Sequence, residues 1–106
     1  MSEVKREVLD DIIRRIVEVA RPERIIMFGS AARGEMGPNS DLDLLVVKSN
    51  VEHRGRLTGD ITMNLIGAGQ AVDVIVATPE DVERYGESIG LVSRPALKEG
   101  KVVYAA

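Results

Sequence analysis

The stretch of sequence that decides the fold runs from Arg24 to Val47 and reads RIIMFGSAARGEMGPNSDLDLLVV. Its opening apolar run, Arg24 to Phe28, ends at Gly29 and predicts a buried strand, because it is too short to form a stable helix. The closing run, Asp41 to Val47, has an apolar second half that predicts a strand buried on both faces. Glycines, a proline and an asparagine between the two runs indicate a loop. We therefore expect two strands joined by a loop.

Helical and strand patterns lie on both sides of this stretch. Apolar residues at intervals of three and four from Glu3 to Ala20 predict an amphipathic helix, for which Ser2 is the expected N-cap. Glu52 to Ile66 has a similar spacing and predicts a second helix, weakened by two glycines. The alternating, β-branched run Ala71 to Ala77 predicts a third strand.

The last third of the chain continues the alternation of helices and strands. Thr78, followed by a proline and two acids, marks the start of another helix. Residues Ile89 to Leu97 predict one more helix, and Lys101 to Tyr104 predict a short edge strand. This order predicts an α/β (α+β) fold, a single domain over residues 1–106 with helices packed on one small sheet.

Composition narrows the classes of function. The 44% hydrophobic and 29% charged residues are typical of a folded globular domain,. A net charge of −3 and only 3% aromatic residues argue against a nucleic-acid partner,. The absence of cysteine excludes thiolate catalysis and Cys-ligated zinc,. Since no apolar run approaches the roughly 20 residues of a membrane helix and no signal peptide is recognisable, we expect a cytoplasmic protein without membrane contact.

The acidic residues Asp41 and Asp43 are the first candidates for chemistry. Alternate residues of a strand project from the same face, so their carboxylates point together at the start of the strand. Carboxylates held so close either share a proton or bind a cation, and such oxygen ligands suit Mg²⁺ or Mn²⁺. The alternative is a solvated strand terminus with two exposed acids.

Asp73 adds a third carboxylate to this pair. It interrupts the apolar run Ala71 to Ala77, where a charge usually has a partner,. If its strand pairs beside the strand of Asp41, three carboxylates converge, which is the ligand set for a two-metal site in which the cations stabilise the attacking and leaving oxygens. The alternative is an aspartate at the edge of the core, paired with an arginine or lysine.

The Gly29-Ser30 pair follows the first strand and could receive a phosphate. A glycine lets backbone N–H groups approach the phosphate, and the serine adds a hydroxyl donor. Arg33 could contact phosphates or the acceptor, although a structural ion pair is an equal alternative. A Gly-Ser pair alone is usually only a turn. Here, however, ten residues separate it from Asp41, which places a phosphate loop and an acidic pair on successive strands,.

With these residues the chain resembles the nucleotidyltransferase superfamily related to DNA polymerase beta, and in particular its minimal MNT-type members. The resemblance is carried by GSAARGEMGPNSDLDLLVV, residues 29–47, and by AVDVIV, residues 71–76. The tail RPALKEGKVVY, residues 94–104, is similar to the closing helix and strand of the family. The resemblance therefore implies a polymerase-beta-like nucleotidyltransferase fold over nearly the whole chain.

The resemblance also implies roles for individual residues. Asp41 and Asp43 bind Mg²⁺ or Mn²⁺, and Asp73 ligates metal or activates the acceptor hydroxyl. Gly29 and Ser30 hold the β- and γ-phosphates of a nucleoside triphosphate, often ATP. An acceptor oxygen attacks the α-phosphate in line, and pyrophosphate leaves.

Minimal members of this family resemble antitoxins that pair with HEPN-domain ribonuclease toxins and transfer AMP to a tyrosine of the toxin. The resemblance therefore implies a cognate HEPN-domain toxin as the partner, which completes the site of a chain with no accessory domain. Two alternatives stay open. The fold could sequester the toxin with a vestigial triphosphate site, or the acceptor could be a small molecule. The sequence leaves the oligomeric state open.

Overall fold

Four strands and three helices form in residues 5–29, 41–86 and 100–106, the part of the chain that the computed structural model describes, without the side chains of residues 83–86. In chain order they are α1 (Arg6–Ala20), β1 (Arg24–Phe28), β2 (Leu42–Val47), α2 (Arg54–Asn64), β3 (Val72–Ala77), α3 (Pro79–Gly86) and β4 (Lys101–Ala105). The prediction of an α/β domain with helices on a small mixed sheet is confirmed. The described residues contain no helix long and apolar enough to cross a membrane.

The four strands form one sheet in the order β3-β2-β1-β4. β1 pairs antiparallel with both β2 and β4, whereas β2 and β3 are parallel and are connected through α2. A parallel pair needs such a crossover, because its two strands start at the same edge of the sheet. The strand of Asp73 therefore does pair beside the strand that follows Asp41, which was the condition for the three carboxylates to converge.

Each face of the sheet packs on a different set of helices, which explains why the two central strands are apolar on both sides. The first face packs on α1 and α2, and its core residues are Ile12, Ile16, Ala20, Ile25, Met27, Leu42, Leu44, Val46, Ile61, Leu65 and Val76. The second face packs on α3, and its smaller core consists of Ile26, Leu45, Val47, Ala77 and Val82, with Phe28 and Ile75 packed against it.

The first helix begins later than the sequence predicts. Lys5, not Ser2, occupies the N-cap position of α1 and makes no side-chain capping hydrogen bond. Ser2 lies outside the described residues. The predicted end of the helix is confirmed, because Arg21 adopts a left-handed conformation (φ 45°) and its backbone N–H donates to the Val17 carbonyl. The following Pro22 cannot continue a helix.

Helix α2 is held against α1 by polar contacts at its carboxyl end. The Arg15 guanidinium donates to the backbone carbonyls of Asn64 and Ile66, both at 3.1 Å. The Asn64 amide in turn donates to the Arg15 carbonyl at 2.8 Å. These contacts satisfy carbonyls that a helix end leaves without partners. They offset part of the cost of Gly55 and Gly59, which is about 1 kcal/mol each relative to alanine.

Helix α3 begins with a reciprocal cap, as predicted from Thr78. The backbone N–H of Asp81 donates to Thr78 Oγ1, and the backbone N–H of Thr78 donates to Asp81 Oδ2, both at 3.1 Å. Arg54 at the start of α2 forms an ion pair with the same carboxylate. These hydrogen bonds and the Arg54 cation lower the pKa of Asp81 against the opposing effect of its burial. The cap therefore joins the starts of two helices.

The last strand is confirmed at Lys101–Ala105. Its pairing with β1 is interrupted by a bulge beside Ile25 and Ile26. The helix predicted over Ile89–Leu97 lies outside the described residues.

Replacing Thr78 with alanine should destabilise the chain by about 1 kcal/mol, because the Asp81 N–H loses its acceptor. The measurement is the free energy of unfolding from urea titration. Thr62→Ala is the matched control, since the Thr62 hydroxyl donates only to the Thr58 carbonyl within α2. We expect it to change stability by less than about 0.5 kcal/mol. Equal losses in the two variants would contradict a stabilising cap at Thr78.

Candidate functional site

Three strand ends meet at one edge of the sheet. The carboxyl end of β1 lies beside the amino ends of β2 and β3, because β1 is antiparallel to β2 and β3 is parallel to it. Phe28, the last residue of β1, is opposite Asp43, and Asp43 is in register with Asp73. Neighbouring strands are about 4.8 Å apart, so this register brings the two aspartates side by side.

The candidate aspartates project from the second face of the sheet, the one on which α3 packs. Asp43 and Leu45 are two residues apart in β2, so their side chains leave the same face of the sheet. Leu45 belongs to the core on which α3 packs. Asp41 immediately precedes β2 and is exposed, as is Asp73, whereas Asp43 is partly buried. Of the two carboxylates in register, Asp43 and Asp73, Asp43 is therefore the one that loses more of its hydration.

The electrostatics of Asp43 follow from this position. Burial raises the pKa of the Asp43 carboxyl, and the nearby charges of Asp73 and Asp41 raise it further. Among the described residues, no arginine or lysine forms an ion pair with any of the three. The alternative in which Asp73 is a core-edge residue paired with a cation is therefore not what the structure shows. As far as the structure describes the chain, the site concentrates negative charge without a compensating side chain.

Gly29 is required here for two separate reasons. Its φ of +69° lies in the left-handed region that other residues rarely adopt,. A Cβ atom at this position would also stand 2.6 Å from Asp43 Oδ2, closer than two such atoms can approach. The turn after β1 thus passes directly against the Asp43 carboxylate because the residue there has no side chain.

Ser30 and Arg33, the other two residues predicted to bind phosphate, lie outside the described residues. Phe28 is the residue that sequence reasoning missed. It is opposite Asp43, so both side chains leave the same face of the sheet, and it packs against the α3 core,. It stands next to Gly29 in the sequence, but only the antiparallel register reveals it as the neighbour of the aspartate.

The carboxylates have the donor chemistry of a divalent-cation site. Hard oxygen ligands such as these suit Mg²⁺ or Mn²⁺, and a cation would relieve the repulsion that raises the pKa of Asp43,. Within the described ranges, no group of three or more His, Cys, Asp or Glu side chains has an arrangement that could already hold a metal ion. The strand register sets Asp43 beside Asp73, and these two carboxylates with Asp41 are the groups that could hold the cation.

A groove in the described part of the chain lies elsewhere. It encloses about 730 Å³ between α1 and the end of β4 and is lined by residues that include Ile13, Val17 and Tyr104. None of the three aspartates lines it. Charged side chains also line the groove, namely Asp10, Arg14, Glu18 and Arg21. We place the candidate site at the aspartates, because there the strand register sets two carboxylates side by side next to the Gly29 turn.

Comparisons with known proteins identify the family and the fold. A family model described as a nucleotidyltransferase domain matches residues 7–103. A search of curated protein sequences gives no significant match.

Two solved structures share the fold. One is a Sulfolobus solfataricus protein provisionally assigned as a nucleotidyltransferase, with a TM-score of 0.63 and 20% identity over 93% of this chain and 78% of that one. The other is a toxin-antitoxin with AMP-PNP, with a TM-score of 0.60 and 19% identity over 92% of this chain and 73% of that one. At these identities the likeness concerns the fold.

Gly29→Ala should destabilise the chain more than Gly67→Ala, as measured by urea unfolding. Both glycines have positive φ, +69° and +90°, so both substitutions carry the left-handed strain of about 1–2 kcal/mol,. Only the Cβ at position 29 meets Asp43, since nothing lies within 4 Å of position 67. Equal losses would show that the aspartate moves away at no cost, which contradicts a tight turn against Asp43.

Asp43→Asn should stabilise the chain at pH 7 in the presence of a chelator. The raised pKa means that the folded chain binds the proton more tightly than the unfolded chain does. The ionised Asp43 carboxylate therefore lowers the free energy of unfolding. This loss is complete at pH values above the pKa of Asp43 in the folded chain, and it disappears as the pH falls below the pKa in the unfolded chain, about 3.8,. The gain in free energy of unfolding of Asp43→Asn over the parent should therefore become smaller as the pH is lowered.

The measurement is the free energy of unfolding of both chains between pH 7 and pH 4. Asp10→Asn is the control, because Asp10 is exposed on α1 and does not contact the other aspartates. A variant at position 43 that is less stable than the parent at pH 7 would contradict the repulsion inferred at this site.

Proposed function

The chain belongs to the nucleotidyltransferase domain family, and we propose that it transfers AMP from ATP to a hydroxyl group with Mg²⁺ or Mn²⁺. The observation that carries this proposal is the register that sets Asp43 beside Asp73, with Gly29 turning against Asp43. This arrangement combines a carboxylate pair with a close backbone approach. Nucleotidyl transfer needs both, because a triphosphate must be held and its charge neutralised.

In this proposal Asp41, Asp43 and Asp73 hold the divalent metal. When bound, the metal supplies positive charge next to the phosphates. Gly29 leaves room for the phosphate oxygens at the end of β1, while Ser30 donates its hydroxyl and Arg33 its guanidinium to them.

The chemical step is an in-line displacement. The acceptor oxygen forms a bond to the α-phosphorus, the bond from that phosphorus to the bridging oxygen breaks, and pyrophosphate leaves. Asp73 is exposed on the face that carries the site and can accept the proton of the acceptor hydroxyl,. Since Asp43 is less hydrated than Asp73, we assign proton transfer to Asp73 in addition to its part in holding the metal, and metal binding alone to Asp43.

For the acceptor, we propose a tyrosine hydroxyl of a cognate HEPN-domain toxin, so that the chain acts as an antitoxin in the cytoplasm. The motif in residues 29–47 supports this proposal through its resemblance to minimal antitoxins of this type. The shared fold of a solved toxin-antitoxin with AMP-PNP is consistent with it. The exposed position of Asp41 and Asp73 leaves the site accessible to a residue of another protein.

A second candidate is a non-catalytic antitoxin that sequesters its toxin. The fold shared with a solved toxin-antitoxin is consistent with it as well. The two candidates differ in what happens when the carboxylates are removed. Catalysis would be lost, whereas sequestration would remain.

With α-labelled ATP and Mg²⁺, we expect the chain to label the HEPN-domain protein encoded beside it. The double variant Asp41→Asn, Asp43→Asn should label it at least about 100-fold more slowly, because it loses the charges that hold the metal. Phosphoimaging of the partner after electrophoresis measures the rate. Asp10→Asn, which removes one exposed carboxylate from α1, is the matched control and should keep the parental rate.

Two outcomes separate the candidates. If the double variant labels as fast as the parent, Asp41 and Asp43 do not carry the chemistry. If neither chain labels the partner but both neutralise its ribonuclease activity and bind it equally, the protein is the sequestering antitoxin.

A further inference from the structure

Strand β3 is one of the two outer strands of the sheet, and one side of its backbone has no strand partner in the described residues. Along a strand, the backbone N–H and C=O groups of successive residues point alternately toward and away from a given neighbour. The carbonyls of Ala71 and Ala77 accept hydrogen bonds from Leu42 and Lys48 in the segment of β2. The odd-numbered residues of β3 therefore point toward β2, and the even-numbered ones point away from it.

The free part of this edge flanks Asp73, to which we assign proton transfer. Val72 and Val74 are half-buried, whereas Val76 is only 7% exposed. Within the described residues, no hydrogen bond reaches the outward N–H or C=O of Val72 or Val74. These backbone groups are the ones that a further strand would need in order to pair with β3.

β3 lacks the features that protect an outer strand. Such strands often carry a lysine, a proline or a bulge, which discourage pairing with another chain. The opposite outer strand, β4, has Lys101 and a bulge beside Ile25 and Ile26 in its pairing with β1. β3 has no lysine or proline, and its register with β2 continues without a shift from Val72 to Ala77. Of the two outer strands, β3 is therefore the one suited to binding an extended segment.

We propose that the acceptor protein adds an extended segment to β3 as an antiparallel strand, with the acceptor residue opposite Asp73. The proposal rests on the proposed nucleotidyl transfer and assigns the means by which the acceptor reaches that site. Peptide segments bind to open sheet edges in this way, because backbone hydrogen bonds supply affinity and alternate side chains supply specificity.

The register of such a segment follows from the directions of the free backbone groups. Two residues of the segment exchange N–H···O hydrogen bonds with Val72 and Val74, so the residue between them is opposite Asp73 in a non-hydrogen-bonded pair. Side chains in such a pair leave the same face of the sheet, with Cβ atoms about 4.5–5.5 Å apart. The acceptor side chain is then on the second face, as are Asp73 and Asp43.

This position suits a tyrosine hydroxyl. Neighbouring strands are about 4.8 Å apart, and an aromatic side chain also reaches diagonal neighbours about 7–8 Å away. A tyrosine opposite Asp73 can therefore lean across β3 toward Asp43. Its hydroxyl proton goes to the Asp73 carboxylate while its oxygen bonds to the α-phosphorus, and pyrophosphate leaves with the bridging oxygen.

A second copy of the chain is a poor occupant of this edge. Two copies of β3 that pair antiparallel through residues 72–74 place Asp73 directly opposite Asp73 of the partner subunit. Like charges at opposite positions destabilise a strand pair. A register centred on Val74 avoids this contact but needs the backbone of Val76, which is buried. An acceptor segment with an uncharged hydroxyl opposite Asp73 meets neither difficulty.

Hydrogen exchange followed by NMR tests the pairing directly. In the free chain, the amides of Val72 and Val74 should exchange rapidly because they have no acceptor, whereas the Asp73 amide is protected by its hydrogen bond to β2. The HEPN-domain protein encoded beside the chain is then added to saturation, without ATP or metal. Exchange at Val72 and Val74 should slow at least about tenfold.

The opposite outer strand supplies the control for this measurement. The Ala105 amide points away from β1, because the next residue, Ala106, donates its N–H to the Glu23 carbonyl. Its rate of exchange should not change when the partner binds. Slower exchange at Ala105 as well would show a general effect of binding rather than pairing with β3, and would contradict the proposal.

Val72→Pro tests the same pairing through the labelling reaction. Proline removes the outward N–H, keeps the hydrogen bonds to β2, and is tolerated at the first residue of an edge strand. The KM for the partner should rise about tenfold, because a backbone hydrogen bond is lost. The KM for ATP should keep the parental value. Val72→Ala, which shortens the side chain and keeps the N–H, is the matched control and should leave both values unchanged.

Circular dichroism checks that both variants are folded, and the exchange measurement on the parent decides if proline prevents folding. Labelling of the partner without protection of Val72 and Val74 would overturn edge binding alone. A Val72→Pro chain with the parental KM for the partner, or equal effects of proline and alanine, would do the same. Protection without labelling would support edge binding and contradict nucleotidyl transfer to this partner. Protection that grows with the concentration of the chain alone would assign the edge to a second copy and overturn the proposal.

Discussion

Parallel pairing of β2 with β3 sets Asp43 beside Asp73, and this like-charged pair is the constraint on which the site depends. An ordinary sheet would place apolar or oppositely charged residues at such positions, since like charges directly side by side are unfavourable. Here the unfavourable pair is held by the apolar residues that follow in the same strands. Leu45 and Val47 on one side and Leu44 and Val46 on the other are almost completely buried and fix the strand position. A shift of one residue would turn these side chains to the wrong faces, so the core keeps the aspartates in register.

Much of this arrangement could be predicted from the sequence because the relevant signals are local. The apolar run before Gly29 and the run after Asp43 define strands by length and composition, and Thr78 starts a helix through contacts with its near neighbour Asp81. The alternation of Asp41 with Asp43 similarly needs only the two-residue repeat of a strand. The start of α1 was misplaced because the apolar spacing extends to Val4, whereas the helix begins at Arg6 with Lys5 as its N-cap.

Other features depend on pairings between distant segments and carry no local signal. The position of Phe28 opposite Asp43 follows from the antiparallel register of β1 and β2, which nothing in either strand alone fixes. The close approach of Gly29 to Asp43 Oδ2 likewise joins residues on separate strands. The exposure of Asp73 also has no local signal. Its apolar neighbours in the sequence indicate a buried strand, whereas Asp73 itself is exposed.

The unequal covering of the two faces links stability to function. The first face has two helices and the larger core, so it can supply most of the burial on which a domain of this size depends,. The second face can therefore remain uncovered at the strand ends near Asp41 and Asp73, although the repulsion between the aspartates there lowers stability.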